Sequence, residues 1–202
     1  SWQVVVKDYD ELGRLKSVTE PNKNAASNYK TDYHYDRLGR VGSETTPTGH
    51  TISRIYNGNQ VTTIDQKGNK QRVTTNFVGQ NSSVEQLSAA NTLLTKLTYT
   101  YNVESQLVTA KVYTGSTLSH TQVTNIYNTS GQKTQMTDLD KGTWSYQFNS
   151  FGELYQQTNS SSQVTTFSFD KMGRQVARLD PDGLTCWEYD TKVIGALSRV
   201  AY

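Results

Sequence analysis

The sequence predicts an all-β fold of tandem antiparallel β-hairpin repeats forming a curved strip, with one short unit used again and again. Three observations predict it: an aromatic residue that returns every 20 to 26 positions, a turn that follows it, and a second turn midway to the next aromatic.

The aromatic beat runs through Tyr9, Tyr35, Tyr56, Phe77, Tyr101, Tyr127, Phe148, Phe169 and Tyr189, at intervals of 26, 21, 21, 24, 26, 21, 21 and 20 residues. Just upstream the chain alternates, as in Tyr33-His34-Tyr35, Tyr99-Thr100-Tyr101, Tyr146-Gln147-Phe148, Phe167-Ser168-Phe169 and Trp187-Glu188-Tyr189. A period of two puts both rings of a pair on one sheet face and the short polar residue on the other. These pairs are the expected core ladder, each buried ring contributing on the order of 2 kcal/mol.

Glycine follows the aromatic by four residues in Tyr9/Gly13, Tyr35/Gly39, Tyr127/Gly131, Phe148/Gly152 and Phe169/Gly173. The residue next to the aromatic, Asp10, Asp36, Asn128, Asn149 or Asp170, accepts bonds from turn amides, and glycine supplies positive φ without a Cβ clash. Arg14, Arg40 and Arg174 each follow the glycine, placed to pair with the Asp four positions earlier or with the next repeat. Exposed pairs contribute only about 0 to 1 kcal/mol, so their expected role is register more than stability.

The second turns, Thr46–Gly49, Asp65–Asn69, Asp138–Gly142 and Asp180–Gly183, complete one hairpin per unit with strands of roughly six to eight residues. One segment departs from the beat. Across residues 83–97, Leu87, Asn91, Leu94 and Leu97 approximate a helical face, but a strand and a long loop between Phe77 and Tyr101 is the preferred reading. Asn159–Ser162 reads as a loop inside an interval, and no linker divides the chain, so residues 1–202 are expected to be one repeat region cut from a larger polypeptide.

Composition narrows the function. The net charge is +2, with the basic residues scattered, so nothing marks a nucleic-acid partner. No apolar run is long enough for a spanning helix, and no membrane insertion by this segment is expected. Cys186 is the only cysteine, and His34, His50 and His120 are widely spaced, so neither a disulfide nor a zinc cluster is expected and no cofactor is implied. Asp138-Leu139-Asp140 and Asp180-Pro181-Asp182 alternate carboxylates as calcium loops do but lack their ligand count, and read as acidic turns. The other aspartates sit beside turns, which accounts for them better than a catalytic carboxylate pair. Trp2, Trp144, Trp187 and the tyrosines carry an alternative to a scaffold: a cell-surface adhesion or carbohydrate-binding repeat module.

The heptads YDELGRL (9–15), YDRLGRV (35–41) and FDKMGRQ (169–175), with the weaker YNTSGQK (127–133) and FNSFGEL (148–154), resemble the YD or Rhs repeat family. That family includes bacterial polymorphic toxins, shell components of Tc toxin complexes and the teneurins. The resemblance carries onto Tyr9, Asp10, Gly13, Arg14, Tyr35, Asp36, Gly39, Arg40, Phe169, Asp170, Gly173 and Arg174, and extends to Tyr189-Asp190 before a glycine-containing loop and a new strand. It implies a fragment of a hollow β-shell, non-catalytic, secreted or at the cell surface, with a toxic domain elsewhere in the full protein. The implied partners are the remaining repeats and an enclosed toxic domain. Unpaired strand edges would also favour self-association.

Overall fold

The computed structural model describes residues 3–21, 29–191 and 193–202. Trp2, named above, lies outside the described residues. The fold is all-β, with 18 strands and no helix among the described residues. The chain divides into two compact units, Ser1–Tyr99 with Val112–Ser119, and Thr100–Lys111 with His120–Tyr202.

The first unit holds β1 (Lys7–Tyr9), β2 (Leu15–Thr19), β3 (Lys30–Tyr35), β4 (Val41–Thr45), β5 (Thr51–Asn57), β6 (Gln60–Ile64), β7 (Lys70–Thr75), β8 (Asn81–Leu87) and most of β9 (Leu93–Tyr101). Each strand pairs antiparallel with the next. Strands β10 (Leu107–Thr114) and β11 (Thr117–Tyr127) form a hairpin whose tip counts with the first unit. The second unit continues through β12 (Lys133–Asp138), β13 (Gly142–Phe148), β14 (Leu154–Thr158), β15 (Val164–Phe169), β16 (Gln175–Asp180), β17 (Gly183–Tyr189) and β18 (Leu197–Ala201), again pairing in chain order.

One turn joins most of these strands. The N–H of its first residue donates to the carbonyl four residues on, and the N–H three residues on donates back, as in Asp36 N–H to Arg40 O (2.8 Å) and Gly39 N–H to Asp36 O (3.0 Å). Gly39 then sits at φ +78°, and the pairing shifts by one residue between His34 and Tyr35. This is a three-residue hairpin loop closed by a bulge, whose left-handed position favours glycine. The same bonds form at the midway turns beginning at Thr46, Asp65, Ser88 and Asn159. These four midway turns therefore use the same device as the heptad turns, whereas Asp138–Gly142 and Asp180–Gly183 close without it.

Three sequence expectations are corrected. Residues 83–97 are neither helix nor strand with a long loop but the β8–β9 hairpin, closed by the turn from Ser88 with Asn91 at φ 65°. Phe77 is not a ladder ring: the turn there begins at Asn76, which puts Thr75 in the ring position and Phe77 at the tip, 100% exposed. Tyr56 precedes a two-residue turn, Gly58-Asn59, between β5 and β6 instead of the longer loop.

The core ladder is half-buried. Among the described residues no large side chain is fully enclosed, and the buried apolar ones are Leu87 and Ala110. Tyr35, Tyr127, Phe148, Phe169 and Tyr189 are half-buried, while Tyr9 is exposed. Ring burial therefore contributes less than full transfer, and polar contacts between repeats carry more of the ordering. Cross-strand hydroxyl pairs Thr45–Thr51 (3.1 Å), Thr100–Thr109 (2.7 Å) and Thr137–Thr143 (3.1 Å) add to this between neighbouring strands.

Candidate functional site

The repeated residues converge on the turns, where each makes a defined bond. In the first heptad Asp10 Oδ1 accepts from the N–H groups of Leu12 (3.0 Å) and Arg14 (2.9 Å), and Oδ2 accepts from Arg14 Nε (2.7 Å). Asp36 repeats this with Leu38 and Arg40, and Asp170 with Met172 and Arg174, each with a 2.7 Å bond from arginine Nε. The amides two and four residues on are thereby satisfied by the aspartate side chain, while the first residue and the glycine donate to backbone carbonyls of the same turn.

Where asparagine replaces aspartate, the partner changes with it. Asn128 Oδ1 still accepts from the Ser130 and Gln132 amides, but its Nδ2 donates to Gln132 Oε1 at 2.8 Å. Asn76 with Gln80, Asn102 with Gln106, Asn149 with Glu153 and Asn159 with Gln163 do the same. An acidic first residue takes a donor four positions on, and an amide takes an acceptor. Sequence reasoning found only the Asp–Arg half of this rule; the Asn-x-x-x-Gln/Glu spacing was the signal for the rest.

The residue four positions on also reaches the next repeat. Arg14 lies over the Tyr35 ring at 4.5 Å, Arg40 over Tyr56 at 4.1 Å and Arg174 over Tyr189 at 4.5 Å. Gln106 and Gln132 instead donate to the carbonyls of Gly131 (2.6 Å) and Gly152 (3.2 Å), the turn glycines of the following repeats. The following tyrosine answers with its hydroxyl: Tyr35 donates to Leu15 O (2.7 Å), Tyr56 to Val41 O (3.0 Å), Tyr127 to Leu107 O (2.9 Å) and Tyr189 to Gln175 O (3.0 Å). Burial pushes the Tyr127 phenol up from its usual value. This return stitch was not anticipated from the sequence.

The last heptad residues differ in detail. Asp190, at φ 65°, accepts Arg174 Nη2 at 2.7 Å and the Gly195 N–H at 2.6 Å, and the chain then passes through Ala196 into β18. Arg174 thus bridges two successive heptads, bound to Asp170 and Asp190 together.

The electrostatics follow these bonds. Arg174, then the Gly195 amide, hold the Asp190 carboxyl down at about 2. The Arg14 side chain is the main cause lowering Asp10, and the backbone N–H groups of Arg40 and Arg174 are the main causes for Asp36 and Asp170. Asn69 does the same for Asp65. Bonds from Asp190 and Asp170 raise Arg174. These carboxylates are held ionised and committed, which leaves no proton on them to transfer at neutral pH. Among the described residues no cluster of three or more metal-ligating side chains occurs, and Cys186 is half-buried. His34 is exposed on the face opposite the rings.

Such an array of clasped, mutually stitched turns defines a β-hairpin repeat protein in which the recurrent residues build the backbone. Residues 9–51 match the RHS Repeat family, which agrees with the resemblance carried by the heptads. No protein of curated function matches the chain in sequence. Solved structures match over 96% of the chain: TcdB2-TccC3-Cdc42 (TM-score 0.72, 11% identity) and TcdB2-TccC3-TEV (TM-score 0.71, 11% identity). The Tc holotoxin pore of Photorhabdus luminescens, carrying a TccC3 mutation, matches over the same 96% with TM-score 0.68 and 13% identity. At such identities the likeness is one of fold, and the chain spans 12% of each of these larger chains.

Proposed function

We propose that residues 1–202 are a repeat segment of a secreted Rhs/Tc-type toxin, a non-catalytic length of β-shell that contains or presents a toxic domain located elsewhere in the full protein. The observation that carries this reading is the commitment of the repeated side chains. Asp10, Arg14, Tyr35, Asp170, Arg174 and Tyr189 each bond to their own turn or to the adjacent repeat. Repetition at this density is the mark of construction, because each hairpin needs its neighbours for stability. The fold shared with Tc toxin proteins supports the same role. Its partners are the adjoining repeats and the enclosed domain.

Limited proteolysis of the full-length protein tests this. The enclosed domain is expected to resist cleavage in the intact protein and to become cleavable when Gly39→Val and Gly173→Val loosen the repeats. Equal cleavage of that domain in both forms would contradict containment.

A further inference from the structure

The sequence holds one Asn-Gly step, Asn57-Gly58, and the fold sets it at the exposed tip of the β5–β6 hairpin. An asparagine carboxamide carbon and the backbone nitrogen of the next residue are spaced to close a five-membered ring, an attack that glycine leaves unhindered for want of a Cβ. What holds the two groups decides whether the ring closes. At the clasped turns the carboxamide is held: the Oδ1 atoms of Asn76, Asn102, Asn128, Asn149 and Asn159 each accept two backbone N–H groups, and each Nδ2 donates to the residue four positions on. None of these asparagines is followed by glycine.

At the β5–β6 tip both groups are free. The Asn57 carboxamide and the Gly58 N–H bond to no described residue, and nothing stands within 4 Å of where a Gly58 Cβ would lie. The heptad glycines differ, since Gly13, Gly39 and Gly173 each give their N–H to the carbonyl three residues back. The one Asp-Gly step, Asp182-Gly183, differs too, because Gly183 lies in β17 and pairs with Asp180. On the far side of the tip Asn59 is tied to β7: its Nδ2 donates to the Thr75 carbonyl, and the Thr75 N–H donates to Asn59 O at 3.0 Å. The tip is thus held on its β6 side and released on its β5 side. Opening of the single closing pair, Asn57 with Gln60, is enough to swing the carboxamide onto the Gly58 nitrogen.

We propose that Asn57-Gly58 is a self-modification site, at which the folded protein deamidates through a succinimide. The Gly58 nitrogen, having lost its proton to solvent base, bonds to Asn57 Cγ; the Cγ–Nδ2 bond breaks, and the nitrogen leaves as ammonia after taking up a proton. Water then adds to one of the two ring carbonyls. Addition at Cγ leaves an aspartate, and addition at the main-chain carbonyl leaves an isoaspartate, whose chain runs through Cβ. Either product replaces a neutral amide by a carboxylate. The isoaspartyl product also inserts one extra backbone atom beside Tyr56, which pairs with Val61. Tyr56 holds the preceding hairpin through its hydroxyl bond to Val41 O at 3.0 Å and through Arg40 over its ring at 4.1 Å. Modification therefore loosens one stitch of the first unit with age.

The test is incubation of the folded protein at mildly alkaline pH, followed by charge-based separation, peptide mapping by mass spectrometry and labelling with isoaspartyl methyltransferase. The Asn57 peptide should convert from amide to acid at least about tenfold faster than the peptide of any clasped asparagine, yielding both aspartate and isoaspartate. Gly58→Ala should slow the conversion by about tenfold or more. Asn57→Gln, which would need a six-membered ring, should abolish it; this exposed side chain has no partner to lose, so its melt should match the parent and its result stands even if Gly58→Ala fails to fold. The separated isoaspartyl form should melt below the unmodified protein. Conversion of Asn57 no faster than of the clasped asparagines overturns the proposal, as does equal conversion in Asn57→Gln. Aspartate without isoaspartate would mean direct hydrolysis and overturns the ring closure, and an unchanged melt of the isoaspartyl form overturns the loosening.

Discussion

The hydroxyl of Tyr35 donates to the carbonyl of Leu15 at 2.7 Å, and Leu15 is the residue that pairs with Tyr9 of the preceding repeat. The same relation links Tyr56 to Val41, Tyr127 to Leu107 and Tyr189 to Gln175. Each tyrosine thus fixes the spacing between its own repeat and the one before it.

Removing this hydroxyl should weaken the stitch without disturbing ring packing. Tyr35→Phe and Tyr127→Phe are each expected to lower stability by about 0.5 to 1.5 kcal/mol in denaturant melts. The converse applies where the chain already has phenylalanine. Phe148→Tyr brings a hydroxyl toward the Lys133 carbonyl, since Tyr127 pairs with Lys133 as Tyr9 pairs with Leu15. That substitution should be neutral or stabilising by up to about 1 kcal/mol.

The turn glycines act through backbone conformation. A Cβ at Gly39 would meet only Arg14 Nη1 at 3.8 Å, so the cost of Gly39→Val is that of placing a β-branched residue at φ +78°. A loss of at least about 1 to 2 kcal/mol is expected in thermal or denaturant melts. Ser105 holds the equivalent position at φ 66°, and Ser105→Gly should stabilise by up to about 1 kcal/mol in the same assay.

Acid should loosen the turns in a defined window. The clasped aspartates have lower pKa values folded than unfolded, so the unfolded chain binds more protons in acid. Their contribution is complete above the unfolded value of about 4 and is lost as pH falls through the folded one, about 2 for Asp190. Denaturation midpoints should therefore fall between about pH 4 and 2, and Asp190→Asn should flatten the part due to that residue. A parent whose stability rises over that window would contradict the assignment.

Much of this was legible because turns constrain sequence tightly. Asp36 and Gly39 are set by one hydrogen-bonding pattern and one positive φ, and both leave a local signature. The Rhs resemblance rested on that signature and agrees with the match over residues 9–51. What escaped was either disguised or non-local. Ser105, Asn91 and Ser162 take the left-handed position without glycine, which hid the Ser88 turn and made residues 83–97 ambiguous. Phe77 attracted the alignment by being aromatic, whereas Asn76 and Gly79 mark the true register. The tyrosine stitch spans 14 to 20 residues and depends on how far apart adjacent hairpins lie, which no local pattern encodes.

The matched chemistry of the clasp is tested most directly by a double-mutant cycle at Asp36 and Arg40. Asp36→Asn alone sets an amide donor against a guanidinium, and Arg40→Glu alone sets two carboxylates together. The double variant recreates the Asn149–Glu153 pair, whose amide donates at 2.7 Å. Loss of the Arg40 contact with Tyr56 occurs in both the Arg40→Glu single and the double variant, and cancels in the cycle. The expected result is a favourable coupling of about 1 kcal/mol or more in urea melts, with the double variant more stable than the sum of the single losses allows. Simple additivity of the two substitutions would contradict the claim that these paired side chains hold the repeat together.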